Sequence, residues 1–219
     1  ISSSAPRVHC VLVKKKYLLK TLIKKLKQNI SMSLIHILSS TDRPNSNALK
    51  VSKYVEPYLA KKADTKIFSL MDYPFADIVG GKYGNTPDSV KEFNKELLSA
   101  DGLLFVVPEY NGGFPGVLKF FYDYLPFPDA LEMIPVSLIG EAAGAFGALR
   151  PVEQFEQLLK YRKAYIYPER MLIQRVNDSF DPESGLTNDT LQKLLMSQLD
   201  GFPDFVEKIK SLDEKHISC

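Results

Sequence analysis

Residues 102–119 read GLLFVVPEYNGGFPGVLK, and their reading decides the fold. After the leading glycine, residues 103–107 are apolar without interruption. A strand with one wet face alternates polar and apolar side chains. An unbroken apolar run of this kind marks a strand covered on both faces, as in a parallel sheet between helices. Pro108 has no N–H for a central ladder and ends the run. Asn111-Gly112-Gly113 is a turn signal. Pro115 then suits the first turn of a helix over 115–125.

The alternation extends both ways. Residues 34–38 (LIHIL) form a short buried strand ending in Ser39-Ser40, and 65–70 form a second strand. Residues 45–62 form a helix between them, with Ala48, Leu49, Val51, Val55 and Leu59 on one face. Residues 72–85 are a loop rich in Asp, Gly and Pro. Val90, Phe93, Leu97 and Leu98 give a helix over 88–100. A fourth strand spans 134–139, a helix spans 147–159, and a fifth strand lies within 164–173, near 171–173. Residues 176–189 are an acidic loop. A long helix over 190–212 closes the chain, with a break expected at Gly201–Pro203. Five apolar strands separated by helices imply an α/β fold, with a mostly parallel sheet and helices on both faces. Ligands in such sheets sit at the carboxyl ends of the strands, near the switch in strand order.

Charge divides the chain in two. Its 219 residues carry 28 Lys and Arg against 26 Asp and Glu, a net of +2. Residues 1–31 hold eight of the bases and no acid, which leaves 20 bases and 26 acids beyond, a net of −6. The body gives no reason to expect nucleic acid. Residues 1–31 are expected to be a basic, poorly ordered extension. Leu19, Leu22, Ile23, Leu26 and Ile30 could instead form the apolar face of a helix for an anionic surface or targeting. No apolar stretch reaches the length of a membrane span, so no integral membrane association is expected. The two cysteines, Cys10 and Cys219, make no disulfide framework. That fits a reducing, cytoplasmic compartment. No His/Cys/Asp cluster has metal-ligand spacing, and no metal is expected. His36, inside an apolar strand, reads as a satisfied sheet residue rather than a catalyst.

Three strand-end loops carry the functional signal. The first, Ser39-Ser40-Thr41-Asp42-Arg43-Pro44-Asn45-Ser46-Asn47, puts hydroxyls, an Arg and free N–H groups before a helix, which suits a phosphate. Ser46 or Asn45 would also serve as an ordinary helix cap. The second is Pro108-Glu109-Tyr110-Asn111-Gly112-Gly113-Phe114. Its glycines let backbone approach a flat ligand, and Tyr110 or Phe114 could stack on one. The third, beginning at Gly140-Glu141, is rich in small residues.

Residues 108–119 resemble the signature of the NADPH-dependent FMN reductase family, a flavodoxin-like group of quinone, azo-dye and chromate reductases. The family carries Pro-Glu-Tyr-Asn, then Pro-Gly-x-Leu-Lys before a helix. Its phosphate loop runs Gly-Ser-x-Arg-x-x-Ser; here Ser40, Arg43 and Ser46 align, with Ser39 in place of the glycine and Arg43 one place further on. The resemblance covers about residues 34–212. It implies a flavodoxin-like three-layer sandwich over 32–219, with parallel strands in the order 2-1-3-4-5. It implies FMN, its phosphate held by Ser40, Arg43, Ser46 and Asn47. Pro108, Glu109, Tyr110, Asn111, Gly112 and Gly144 would border the ribityl chain and ring. NADPH or NADH would supply hydride, and a quinone, azo compound, metal oxyanion or free flavin would accept electrons, with no catalytic side chain required. A homodimer or homotetramer is implied, and the aromatic segment 120–127 offers apolar surface for it. A flavodoxin-type electron carrier and a flavin-free interaction domain are the alternative readings.

Overall fold

The computed structural model describes residues 32–216, and the expectations about residues 1–31 lie outside them. The elements run β1 (Leu34–Ser39), α1 (Asn47–Leu59), β2 (Asp64–Ser69), a 3₁₀ turn (Phe75–Ile78), α2 (Asp88–Leu97), β3 (Gly102–Pro108), α3 (Gly116–Asp123), β4 (Pro135–Glu141) and α4 (Leu149–Tyr161). They continue with β5 (Tyr165–Ile166), β6 (Met171–Ile173), a helical turn α5 (Val176–Ser179), β7 (Phe180–Asp181), β8 (Gly185–Leu186) and α6 (Asp189–His216).

The main sheet is parallel in the order β2-β1-β3-β4-β5, the flavodoxin-like order. All seven residues of β3 and all seven of β4 are buried. Alternate side chains leave β3 on opposite faces. Leu103, Phe105 and Val107 join Phe121 of α3 and Val152 and Phe155 of α4. Leu104 and Val106 join Val51 and Val55 of α1 and Leu199, Phe202 and Val206 of α6. Two helical layers thus cover one sheet, as expected.

Four details differ from the sequence reading. Pro108 belongs to β3 as its last residue, opposite Glu141, where its missing N–H costs the ladder little. The fifth strand is split: β5 pairs with the start of β4 and β6 with its end, because residues 167–170 leave the ladder between them. The acidic loop contains α5 and the β7–β8 hairpin. Finally, α6 runs unbroken through Pro203. Phe202 and Val206 are buried on either side of the proline, and this packing outweighs one lost backbone hydrogen bond. Gly102 admits the helix: a Cβ there would lie 2.6 Å from Val206 Cγ2.

Phe121, Tyr122, Tyr124 and Leu125 are buried within the chain, so most of the aromatic segment is core. Phe127 remains exposed. His36 is buried, its Nδ1 2.9 Å from the Leu97 carbonyl oxygen, and burial lowers its pKa. It is a sheet residue, as read. Among the described residues, no helix is long and apolar enough to cross a membrane.

Candidate functional site

A cleft of about 320 Å³ opens at the carboxyl ends of β1, β3 and β4, lined by residues 43–47, 108–110 and 141–143. It is where the strand order switches, the place a parallel sheet of this type offers a ligand. Of the expected site residues, Arg43, Ser46, Asn47, Pro108, Glu109 and Tyr110 line it. Ser40, buried at the end of β1, and Asn111, Gly112 and Gly144, on the β3–α3 and β4–α4 connections, lie outside that lining.

The β1–α1 loop is held by side chains. Ser46 is the N-cap of α1, its Oγ accepting the Leu49 N–H at 3.1 Å. Asn45, rather than a glycine, takes the left-handed conformation before it, at φ 56°. Ser40 is fully buried; its N–H donates to the Val106 carbonyl at 3.0 Å and its hydroxyl to the Leu38 carbonyl at 3.2 Å. Thr41 Oγ1 lies 2.9 Å from the Tyr110 hydroxyl and accepts the Arg43 N–H at 3.3 Å. The Arg43 guanidinium rests 3.9 Å from the centroid of the Tyr110 ring. Asn47 Nδ2 donates to Asn177 Oδ1 at 2.8 Å.

The β3–α3 loop is held by backbone. Tyr110 and Gly113 exchange N–H···O bonds of 2.9 and 3.2 Å. Asn111 and Gly112 between them have φ of 52° and 81°, the two positive angles of a type I′ turn. Asn-Gly is the pair that adopts these angles most readily. Glu109 donates its N–H to the Glu141 carbonyl at 3.0 Å, and its carboxylate pairs with Arg150 at 3.2 Å. Arg150 also sits 4.8 Å from the ring of the exposed Phe146.

The β4–α4 connection folds back tightly. A Cβ on Gly140 would meet the Gly147 carbonyl oxygen at 2.8 Å. The Gly144 carbonyl accepts the Arg175 N–H at 2.9 Å. Glu141, which the sequence reading did not single out, ends β4 inside the cleft and is only 5% exposed. Burial pushes its carboxyl up to about 7, opposed by a hydrogen bond from the Ala48 N–H. A lone acid at the end of an apolar strand was its visible signal. Among the described residues no group of three or more His, Cys, Asp or Glu is placed to hold a metal.

This donor set fits a flavin mononucleotide. One wall has a guanidinium, the Ser46 hydroxyl and the start of α1, a combination suited to a phosphate. The other connections carry Gly112 and Gly144, where a Cβ would meet nothing within 4 Å, so their backbone is open to a flat group. The Ser39 hydroxyl, buried at the end of β1 without a partner, adds an unused polar atom beneath the loop.

Residues 33–178 match the NADPH-dependent FMN reductase family, and the chain belongs to it. It is 28% identical over 127 residues to an NAD(P)H-dependent FMN reductase of Pseudomonas aeruginosa, covering 57% of this chain and 69% of that one. Over 150 residues it is 32% identical to a quinone reductase of Escherichia coli K12, covering 65% and 78%. Its fold superimposes on FerB, a flavoenzyme NAD(P)H:(acceptor) oxidoreductase of Paracoccus denitrificans, with a TM-score of 0.68 at 22% identity, over 80% of this chain and 98% of that one. The protein is therefore an oxidoreductase that uses FMN and NAD(P)H. The electron-carrier alternative has less support.

Proposed function

We propose that this cleft holds FMN and that a small acceptor, such as a quinone, azo compound, metal oxyanion or free flavin, receives the electrons taken from NAD(P)H. The observation that carries this reading is the meeting of two unlike loops at the carboxyl end of the sheet. The Arg43–Asn47 side bears a cation, the Ser46 hydroxyl and two side-chain amides, and the other side is the Pro108–Tyr110 strand end leading to the open backbone of Gly112.

Arg43 would leave the Tyr110 ring to meet the phosphate, with Ser46 and Asn47 beside it, and Ser40 would join them only by releasing the Leu38 carbonyl. Pro108, Glu109, Tyr110, Asn111 and Gly112 would border the ribityl chain and ring, largely through backbone, and Gly144 would close the far side. FMN, when bound, supplies the two-electron chemistry; the protein supplies position, polarity and exclusion of water. Glu109, fixed by Arg150, keeps its carboxylate turned to a cation at the edge of the cleft. Donor and acceptor would use one open face in turn.

The purified protein should be yellow, release FMN on denaturation and bleach anaerobically with NADPH or NADH. Initial rates should follow a ping-pong pattern, and a panel of acceptors would rank the substrates. A colourless protein that binds no added FMN would end this reading. A homodimer or homotetramer belongs to the same proposal. Exposed Phe127 and Phe146 are its support, and sedimentation giving only monomer at micromolar concentration counts against it. A cytoplasmic site, where NAD(P)H is plentiful, completes it.

A further inference from the structure

Glu141 is a buried acid in a cleft that is to receive a phosphate. It lines the same cleft as Arg43–Asn47 at the start of α1, where the Ser46 hydroxyl accepts the Leu49 N–H. An incoming anion at that helix start would therefore meet the Glu141 carboxyl directly.

No cation offsets the Glu141 charge. Among the described residues no Lys, Arg or His forms an ion pair with it. Arg43, on the same cleft, lies over Tyr110. The other charged groups on the surrounding elements are Asp42 on the β1 loop, Lys50 on α1, Glu109 with Arg150 across the β3 and β4 loops, and Arg175 and Asp178 beyond β6. Asp42, Lys50, Arg150, Arg175 and Asp178 are exposed, and Glu109 is satisfied by Arg150.

A phosphate monoester is largely a dianion above neutral pH. Beside a buried carboxylate it meets a like charge where water screens poorly. A neutral glutamic acid removes the repulsion and adds an O–H donor.

We propose that Glu141 is a binding residue for the phosphate end of FMN and acts as the neutral acid, so that FMN binding takes up one proton from solvent. The proposal rests on the reading of the cleft as the FMN site. The high carboxyl pKa in the ligand-free chain agrees with it, since little is needed to keep the proton on once a dianion arrives.

The test is FMN affinity by flavin-fluorescence quenching between pH 7.5 and 9, above the titration of the phosphate itself. One proton taken up should weaken binding about tenfold per pH unit in this range. Glu141→Gln, a neutral isostere, should bind FMN with an affinity that no longer follows pH. Calorimetry of the wild-type protein at pH 8, in two buffers of different ionisation enthalpy, reads proton uptake directly and does not depend on the variant folding. A wild-type affinity that ignores pH, no proton uptake, or the same slope in a folded Glu141→Gln protein overturns the proposal alone. Absence of FMN binding at every pH overturns the underlying reading of the cleft.

Discussion

The two walls of the cleft are built by opposite means. The β3 and β4 connections are fixed by main chain: a reciprocal hairpin at Tyr110–Gly113, and glycines at 140 and 147 that let one strand end touch the next turn. The β1–α1 loop is fixed by side chains reaching in from elsewhere, with Tyr110 against Thr41 and Arg43, Asn177 against Asn47, and Glu141 against Ala48. A wall made of backbone holds its shape whatever occupies the cleft. One made of borrowed side chains can exchange partners when a ligand enters.

The largest effect should come from the buried acid on the borrowed side. Burial pushes the Glu141 carboxyl up from an ordinary 4.5 to about 7, so the folded state keeps its proton longer. Its contribution to stability is fullest below 4.5, falls as pH rises toward 7, and stays low above that. The fall is at most about 3 kcal/mol. Glu141→Gln should erase it, and the difference in urea midpoint between the two proteins should widen from pH 4.5 to 7 and then level off.

The main-chain wall should break at Gly140. Gly140→Ala places a methyl against the Gly147 carbonyl oxygen, which cannot swing aside as a side chain would. A loss of about 2 kcal/mol in urea unfolding is expected. A neutral result would mean that this wall is softer than its contacts suggest.

Arg43 separates the walls in another way. Arg43→Ala should cost stability little, since an exposed cation–aromatic contact contributes only about 0.5–1 kcal/mol. It should weaken FMN binding about tenfold, as for loss of a charged hydrogen bond. Unchanged FMN affinity would remove Arg43 from the phosphate group. The smallest effect is expected at Ser46, where Ser46→Ala removes the α1 cap for about 1 kcal/mol, read as a lowered melting temperature.

The same contrast explains what the sequence disclosed. Residues 102–119 declared both the buried strand and the turn because their geometry is local. The apolar run needs no outside information, and Asn-Gly carries its own turn angles. Strand order and the helical layers followed from the resemblance and from the buried pattern. The partners of the β1–α1 loop were not legible, because Tyr110, Glu141 and Asn177 reach it only through the fold. Glu141 is the clearest case: a single acid after SLIG does not say that it will be enclosed. Pro203 misled because a proline inside a helix is unfavourable locally, whereas the packing of Phe202 and Val206 is a property of the whole sheet. The split between β5 and β6 depends on which end of β4 each short piece meets, which their residues do not encode.

The late arrival of α6 has a consequence during synthesis. Leu104 and Val106 emerge from the ribosome long before Leu199, Phe202 and Val206, which share their face of the sheet. Until residues from Asp189 onward have appeared, that side of β3 lacks the cover of Leu199, Phe202 and Val206. The nascent chain therefore carries a half-clothed apolar sheet, a surface suited to chaperone capture and to mispairing with neighbouring chains.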